Sequence, residues 1–230
     1  MSLLSWLLPH RCPYCDTVIT GQQTECDHCR AQFPDGVYVR SLSEGVCIAP
    51  FGYDGAVRES ILRMKKDGLH TRANSFGRRI GQMVRSMGIA PDIVTSIPMY
   101  PPDQRQRGFN QAEQIARCTA KTGGWLYAEV LKKIRKNQVQ HLLSAEQRYR
   151  NVQGVYAVGR SRLLQGRCIL LIDDVCTTGS TLCECMRILK DNGAKTVMGA
   201  VAAMVGAENE LHIMTLEQAR KICAADSKKR

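Results

Sequence analysis

Long apolar runs are missing from this 230-residue chain. The longest candidate, Val197 to Ala207, falls well short of the roughly 20 residues a bilayer-spanning helix needs and suits a buried strand. No membrane span is expected. The apolar opening, Ser2 to Leu8, has no cationic flank and runs straight into Pro9 and a cysteine pair, a poor match to a secretory signal. A cytoplasmic location is therefore expected. Internal repeats and low-complexity tracts are absent, so nothing points to a repeat architecture. Aromatic residues make up only 6%, which leaves few platforms for stacking bases. Acidic side chains are also scarce, 21 against 32 Lys plus Arg, for a net charge of +11. With 44% hydrophobic and 23% charged residues, a disordered chain is excluded. The length suits one mid-sized domain plus a small appendage.

The positive excess favours an anionic partner, either nucleic acid or a phosphate-rich metabolite. It concentrates in two stretches. Residues 58–85 carry eight basic side chains against Glu59 and Asp67, and residues 129–167 carry nine against Glu129 and Glu146. A solvated cationic helix face would read the same way.

Seven of the eleven cysteines are scattered without disulfide-like spacing, as expected for reduced thiols. The other four form two C-x-x-C knuckles, Cys12-Pro13-Tyr14-Cys15 and Cys26-Asp27-His28-Cys29, ten residues apart. This spacing predicts a closed tetrahedral zinc site that folds a segment of about 30 residues too small to bury a core unaided. A redox dithiol pair and unmetallated thiols compete with this reading, but two knuckles in tandem disfavour both. His10 and His28 are expected outside the ligand set.

After Gly36, short apolar runs alternate with amphipathic stretches, which predicts βα units and a mainly parallel sheet flanked by helices. The expected division is a cysteine module at 1–36, an α/β domain at 37–207, and a C-terminal helix with a basic tail at 208–230. Strands are predicted at Val46–Tyr53, Ile93–Pro98 and Leu126–Leu131. A proline-bearing, arginine-rich loop precedes a helix beginning near Asn110. The stretch from Lys132 reads as a long polar loop, with a capping-box pattern at Ser144–Gln147 and another at Thr215–Gln218.

The most informative segment runs from Cys168 through Asp173-Asp174-Val175-Cys176-Thr177-Thr178-Gly179-Ser180-Thr181 into an apolar helical stripe. An apolar strand ending in two carboxylates places them at the carboxyl edge of a parallel sheet. Small residues then let the backbone wrap a phosphate at the positive end of the next helix. Carboxylates tolerate that neighbour when hydroxyls or a cation lie between, which points to a phosphorylated sugar with Mg²⁺. Cys176 is not expected to be a nucleophile, since no histidine adjoins it.

These residues resemble the phosphoribosyl pyrophosphate (PRPP) loop of type I phosphoribosyltransferases. Ser96-Ile97-Pro98-Met99-Tyr100 with Arg105-Gln106-Arg107-Gly108-Phe109-Asn110-Gln111-Ala112 is similar to the ComF family signature, in which this loop corresponds to the pyrophosphate loop. Arg135, Gln140, Arg148, Asn151 and Gly154 resemble the same family's hood loop. The resemblance implies a type I phosphoribosyltransferase-like fold with an appended zinc module on Cys12, Cys15, Cys26 and Cys29. It also implies a site for Mg²⁺ and PRPP. There, Thr177, Thr178, Gly179, Ser180 and Thr181 would hold the 5-phosphate, and Asp173 and Asp174 the ribose hydroxyls. Arg105, Arg107 and Gly108 would meet the pyrophosphate, with Asp173, Asp174 and Arg107 as the catalytic group. Arg135, Gln140, Arg148 and Asn151 would close from the hood.

Members acting on 6-oxopurines carry a carboxylate where this chain has Thr177, so a hypoxanthine or guanine acceptor is not expected. The resemblance further implies single-stranded DNA and DNA-uptake machinery proteins as partners in natural competence. Two alternatives stay open: an active phosphoribosyltransferase in nucleotide salvage, and a PRPP-sensing DNA-binding regulator. The regulator is disfavoured because no helix-turn-helix is evident.

Overall fold

The computed structural model describes residues 10–20, 23–67, 70–136, 151–206 and 212–226. Its frame is an eight-stranded sheet built on β8 (Cys168–Cys176), whose residues alternate between two apolar environments. Leu170 and Ile172 face one core cluster, while Ile169 and Leu171 face the other. A strand covered on both sides in this way reads as a continuous apolar run, as the sequence does.

Strand β8 pairs in parallel with β9 (Thr196–Met204) on one side and β4 (Ile93–Ser96) on the other. Beyond β4 lies β5 (Leu126–Tyr127), and beyond β9 lies β2 (Gly45–Ala49), both parallel to their neighbours. Two-residue β3 (Phe51–Gly52) also pairs with β9. Val46–Tyr53, expected as one strand, is thus divided at Pro50, whose ring supplies no N–H to a ladder. An antiparallel edge is added by β1 (Val37–Leu42) and β10 (His212–Met214). The pairing of β10 with β1 brings part of the expected C-terminal tail into the main sheet.

Helices α2 (Gly55–Asp67), α3 (His70–Ser86) and α5 (Gln111–Gly123) follow in the chain, and α3 and α5 pack against each other on one face. Gly77 allows this close approach: a β-carbon there would lie 2.5 Å from the Ile115 carbonyl oxygen and 2.6 Å from Cys118 Cβ. Helix α6 (Ser180–Asp191) covers the other face with Leu182, Cys185, Met186 and Leu189. Over α6 sits an antiparallel pair, β6 (Leu131–Lys133) and β7 (Tyr156–Val158), forming a hood. The predicted strand Leu126–Leu131 therefore ends at Tyr127 in the main sheet, and Leu131 begins the hood.

The cysteine module carries the short helix α1 (Asp27–Ala31) and is continuous with the core of the first face. The Tyr14 ring lies 4.8 Å from Phe33 and 5.5 Å from both Phe51 and Phe76, in edge-on contacts. Ser60 Oγ donates to the Pro13 carbonyl at 2.6 Å, and Arg72 donates to the same oxygen and to Asp16. At the other end of the chain, α7 (Leu216–Asp226) starts with the predicted capping box. The Gln218 N–H donates to Thr215 Oγ1 at 3.2 Å, and the Thr215 N–H donates to Gln218 Oε1 at 3.0 Å. Ser144–Gln147 lies outside the described residues.

Gly77→Ala is expected to lower the unfolding free energy by about 1–3 kcal/mol, because the methyl meets backbone and not a flexible side-chain tip. Urea denaturation measures it; a change below about 0.5 kcal/mol would show that α3 and α5 separate freely.

Candidate functional site

Strand order reverses between β4 and β8: from β4 the chain moves outward to β5, and from β8 it moves the opposite way to β9. In an open parallel sheet the carboxyl ends of two such strands frame a crevice. Ser96 to Arg107 leaves the end of β4, and Asp173 to Thr181 leaves the end of β8, so two separate sequence motifs meet at one edge.

On the β8 side, a recess of about 360 Å³ is lined by Tyr53, Lys65, Asp173, Asp174 and the run Thr177–Thr181. Gly179 holds φ +80° as the residue before α6, a left-handed conformation that favours glycine, and a β-carbon there would also have to displace the Leu42 side-chain tip. As the N-cap, Gly179 offers α6 no side-chain cap. The Thr178 and Ser180 hydroxyls lie 2.8 Å apart. Thr178 Oγ1 accepts the Ser180 N–H at 3.4 Å, and the other first-turn N–H groups without an intrahelical acceptor open onto the recess with the positive end of the helix dipole.

The two carboxylates are unequal. Asp173 Oδ1 accepts the Asp174 N–H at 2.8 Å, and Asp174 Oδ2 pairs with the Lys65 ammonium at 2.8 Å. Burial, with the Asp174 charge adding to it, pushes the Asp173 carboxyl up to about 8. Burial disfavours the Lys65 ammonium, but the Asp174 carboxylate outweighs it and holds Lys65 above its ordinary value.

On the β4 side, Arg105 and Arg107 belong to a short helix, α4 (Pro101–Arg107), and not to the expected loop. Pro101 supports the first turn, where its missing N–H costs nothing, and Gly108 ends the helix at φ +87°. Asn110 caps α5 by accepting the Ala112 N–H at 3.1 Å, and it donates to the Ile97 carbonyl at 3.0 Å. A second recess, about 550 Å³, is lined by Met99, Asp103, Gln106, Arg107 and Lys133. Arg107 donates to Gln111 Oε1 at 3.3 Å, while the buried Nε2 of Gln111 and Oγ1 of Thr95 have no hydrogen-bond partner among the described residues. Burial lowers Lys133, and the fields of both Asp103 and Asp173 act on it, so the two recesses are neighbours. Arg105 and Gly108 line neither recess.

The hood is tied to α6. Buried Glu184 accepts the Gly154 N–H at 3.1 Å and holds Arg187 through two bonds of 3.1 and 3.0 Å. A β-carbon on Gly154 would lie 3.1 Å from the Arg135 guanidinium. Asn151 is half-buried at the return into the hood, and Gln140 and Arg148 lie outside the described residues. Cys176 is 1% exposed.

Two contributors escaped the sequence reading. Lys65 follows Ile61 by four residues, a spacing that puts it on the inward face of α2 and was its available signal. Arg40, on β1, donates to the carbonyls of Thr177 and Val205 and so props the loop backbone from beneath. That role depends on a strand remote in sequence, and no local pattern announces it.

In the cysteine module, the four Sγ atoms lie within 4.8 Å of one another, with Cys15 and Cys26 at 3.5 Å. Bonds of about 2.3 Å to a tetrahedral ion imply sulfur separations of roughly 3.8 Å, so the donor set is compatible with zinc. His10 and His28 are outside the cluster.

The family profile named Phosphoribosyl transferase domain matches residues 118–221, from within α5 to within α7. DNA utilization protein YhgH of Escherichia coli K12 is 28% identical over 199 residues, spanning 81% of this chain and 80% of that protein. Competence protein ComFC of Streptococcus pneumoniae is 27% identical over 186 residues, spanning 81% and 77%. Competence protein F of Haemophilus influenzae is 30% identical over 112 residues, spanning 46% and 48%. The chain is similar to the ComF family. It has the type I phosphoribosyltransferase fold, with the parallel sheet and hood described above and a four-cysteine module at its N-terminal side. Among the described residues, no helix is long and apolar enough to cross a membrane.

The raised Asp173 predicts a pH signature. The folded protein keeps a proton that the unfolded chain has already released above the ordinary aspartate value, so stability falls as pH rises from about 4 to about 8. The groups acting most strongly on Asp173 are Asp174, Lys65 and Cys176. Asp173→Asn removes the titration. Urea unfolding at pH 5, 7 and 9 is expected to show the variant gaining on the wild type as pH rises; parallel profiles would contradict this.

Proposed function

We propose that this ComF-like chain binds the magnesium complex of PRPP at the β4–β8 crevice and serves single-stranded DNA handling during DNA uptake. One observation carries the ligand reading: a helix start with glycine at its N-cap and a small-residue loop shares its recess with two carboxylates at the strand-order reversal. That pairing suits a molecule with a phosphate at one end and hydroxyls a few ångströms away.

In this reading the backbone N–H groups and hydroxyls of Thr177–Thr181 take the 5-phosphate, and Asp173 and Asp174 accept from the ribose hydroxyls. Arg107, with Arg105 and Gly108 nearby, meets the diphosphate as it enters from the α4 side. Magnesium held by the ligand's own oxygens supplies charge neutralisation. Arg135 and Asn151 belong to the hood that shields the site from water, and Gln140 and Arg148 complete the set assigned to it. Zinc held by Cys12, Cys15, Cys26 and Cys29 stabilises the module that packs Tyr14 into the core.

Calorimetric titration of Mg·PRPP into the full-length protein is expected to give saturable binding that Asp173→Asn/Asp174→Asn loses by at least tenfold. Absence of heat with the folded wild type would remove this reading. A second reading, transfer of the phosphoribosyl group to a small base or amine, is favoured by the recess of Met99, Asp103, Gln106, Arg107 and Lys133, which has room beside the diphosphate position. It requires diphosphate release with turnover.

The DNA part is supported by the names borne by YhgH and the competence proteins, and by the surface cations of the second basic stretch, Lys132, Arg135, Lys136, Arg160, Arg162 and Arg167. Fluorescence anisotropy with a labelled single-stranded oligonucleotide is expected to show log K falling linearly with log salt. Affinity that does not change between 50 and 200 mM salt would take the cationic surface out of the reading.

A further inference from the structure

Lys65 is the one cationic side chain among the described residues lining the recess of the acidic pair. It reaches there from the last turn of α2, beyond the fully buried Ile61 and Met64 on the same helix. Its side chain is 33% exposed and that of Asp174 18%, so the 2.8 Å pair is sheltered but not sealed. Asp174 is joined through its backbone N–H to Asp173, making the ammonium and both carboxyl groups one cluster.

The charges within that cluster decide what it can attract. Asp173 retains its proton near neutral pH, so one carboxylate charge remains, and the Lys65 ammonium cancels it. Divalent ions such as Mg²⁺ shed water reluctantly and bind through carboxylates whose negative charge repays that loss. A cluster already neutral gives a bare ion no such return. A ligand carrying several phosphate charges brings its own compensation for the metal and competes with Asp174 for the ammonium.

We propose that Lys65 is the resident counter-cation of this recess: seated on Asp174, it keeps free divalent metal off the acidic pair, so that metal enters only in complex with a phosphate-bearing ligand. The second half rests on the phosphate-binding reading above; the exclusion of free metal rests on the ion pair and on the protonated Asp173 beside it.

The test titrates Mn²⁺ alone into full-length protein, followed by the electron paramagnetic resonance of the unbound ion. Wild type is compared with Lys65→Met, Lys65→Arg and Lys65→Met/Asp174→Asn, each checked for folding by circular dichroism. Any Mn²⁺ held elsewhere, at the cysteines for example, is common to all and cancels. Lys65→Met is expected to bind Mn²⁺ at least about tenfold more tightly than wild type, the scale on which one adjacent charge acts on a carboxylate. Lys65→Arg is expected to resemble wild type, and the double variant to lose the gain. Lys65→Gln is read in the same way if the methionine variant does not fold. Equal affinity in wild type and Lys65→Met, or a gain that survives loss of Asp174, overturns the proposal. Mg·PRPP titrated in parallel separates the two ideas: if no form binds it, the PRPP reading fails while the Mn²⁺ contrast still decides the role of Lys65.

Discussion

Burial of β8 on both faces is the constraint from which the rest of the structure follows. Ile169 and Leu171 need α6 and the hood against them; Leu170 and Ile172 need α3, α5 and the aromatic cluster. A strand committed on both sides cannot slide, since a one-residue slip would exchange its two faces. Its end is therefore a rigid platform, and there the chain places two carboxyl groups and a phosphate-sized turn. The strain-tolerant element, Gly179 at φ +80°, sits one step beyond, where Leu42 presses against it.

The cysteine module draws on the same core without standing apart from it. Tyr14, between the cysteines of the first knuckle, lies against Phe51 and Phe76 of the main domain, and Arg72 and Ser60 converge on the Pro13 carbonyl. Ordering the knuckles thus orders one side of the domain. A segment of this size has too little apolar surface to fold unaided, and the two devices it uses, a metal-compatible sulfur cluster and a borrowed core, address the same deficit.

At the crevice the electrostatics are balanced and not simply positive, despite a chain charge of +11. The half-buried acid pair is matched by Lys65, the loop backbone is propped by Arg40, and the arginines of α4 wait on the opposite rim. Glu184, buried on α6, receives the Gly154 N–H and so links the hood to the helix that begins at the phosphate-sized turn. Hood and loop consequently share one support.

The sequence by itself determined the parallel α/β class, the four-cysteine cluster, the acidic pair with its glycine turn, and the capping box at Thr215 and Gln218. Each is a local matter of spacing, where one segment's residues decide the outcome. Tertiary structure decided what depends on distant segments meeting. Pro101–Arg107 became a helix because Pro101 starts it and Gly108 stops it against the sheet edge. Leu126–Leu131 divided between two sheets because Leu126 and Tyr127 pair with β4 while Leu131 pairs with Val158 of the hood. The tail entered the sheet because β1 presents an unpaired edge to His212–Met214. The ammonium on Asp174 is the clearest case: nothing near residue 65 names its partner more than a hundred positions away. Only packing α2 against the strand ends brings the charges together.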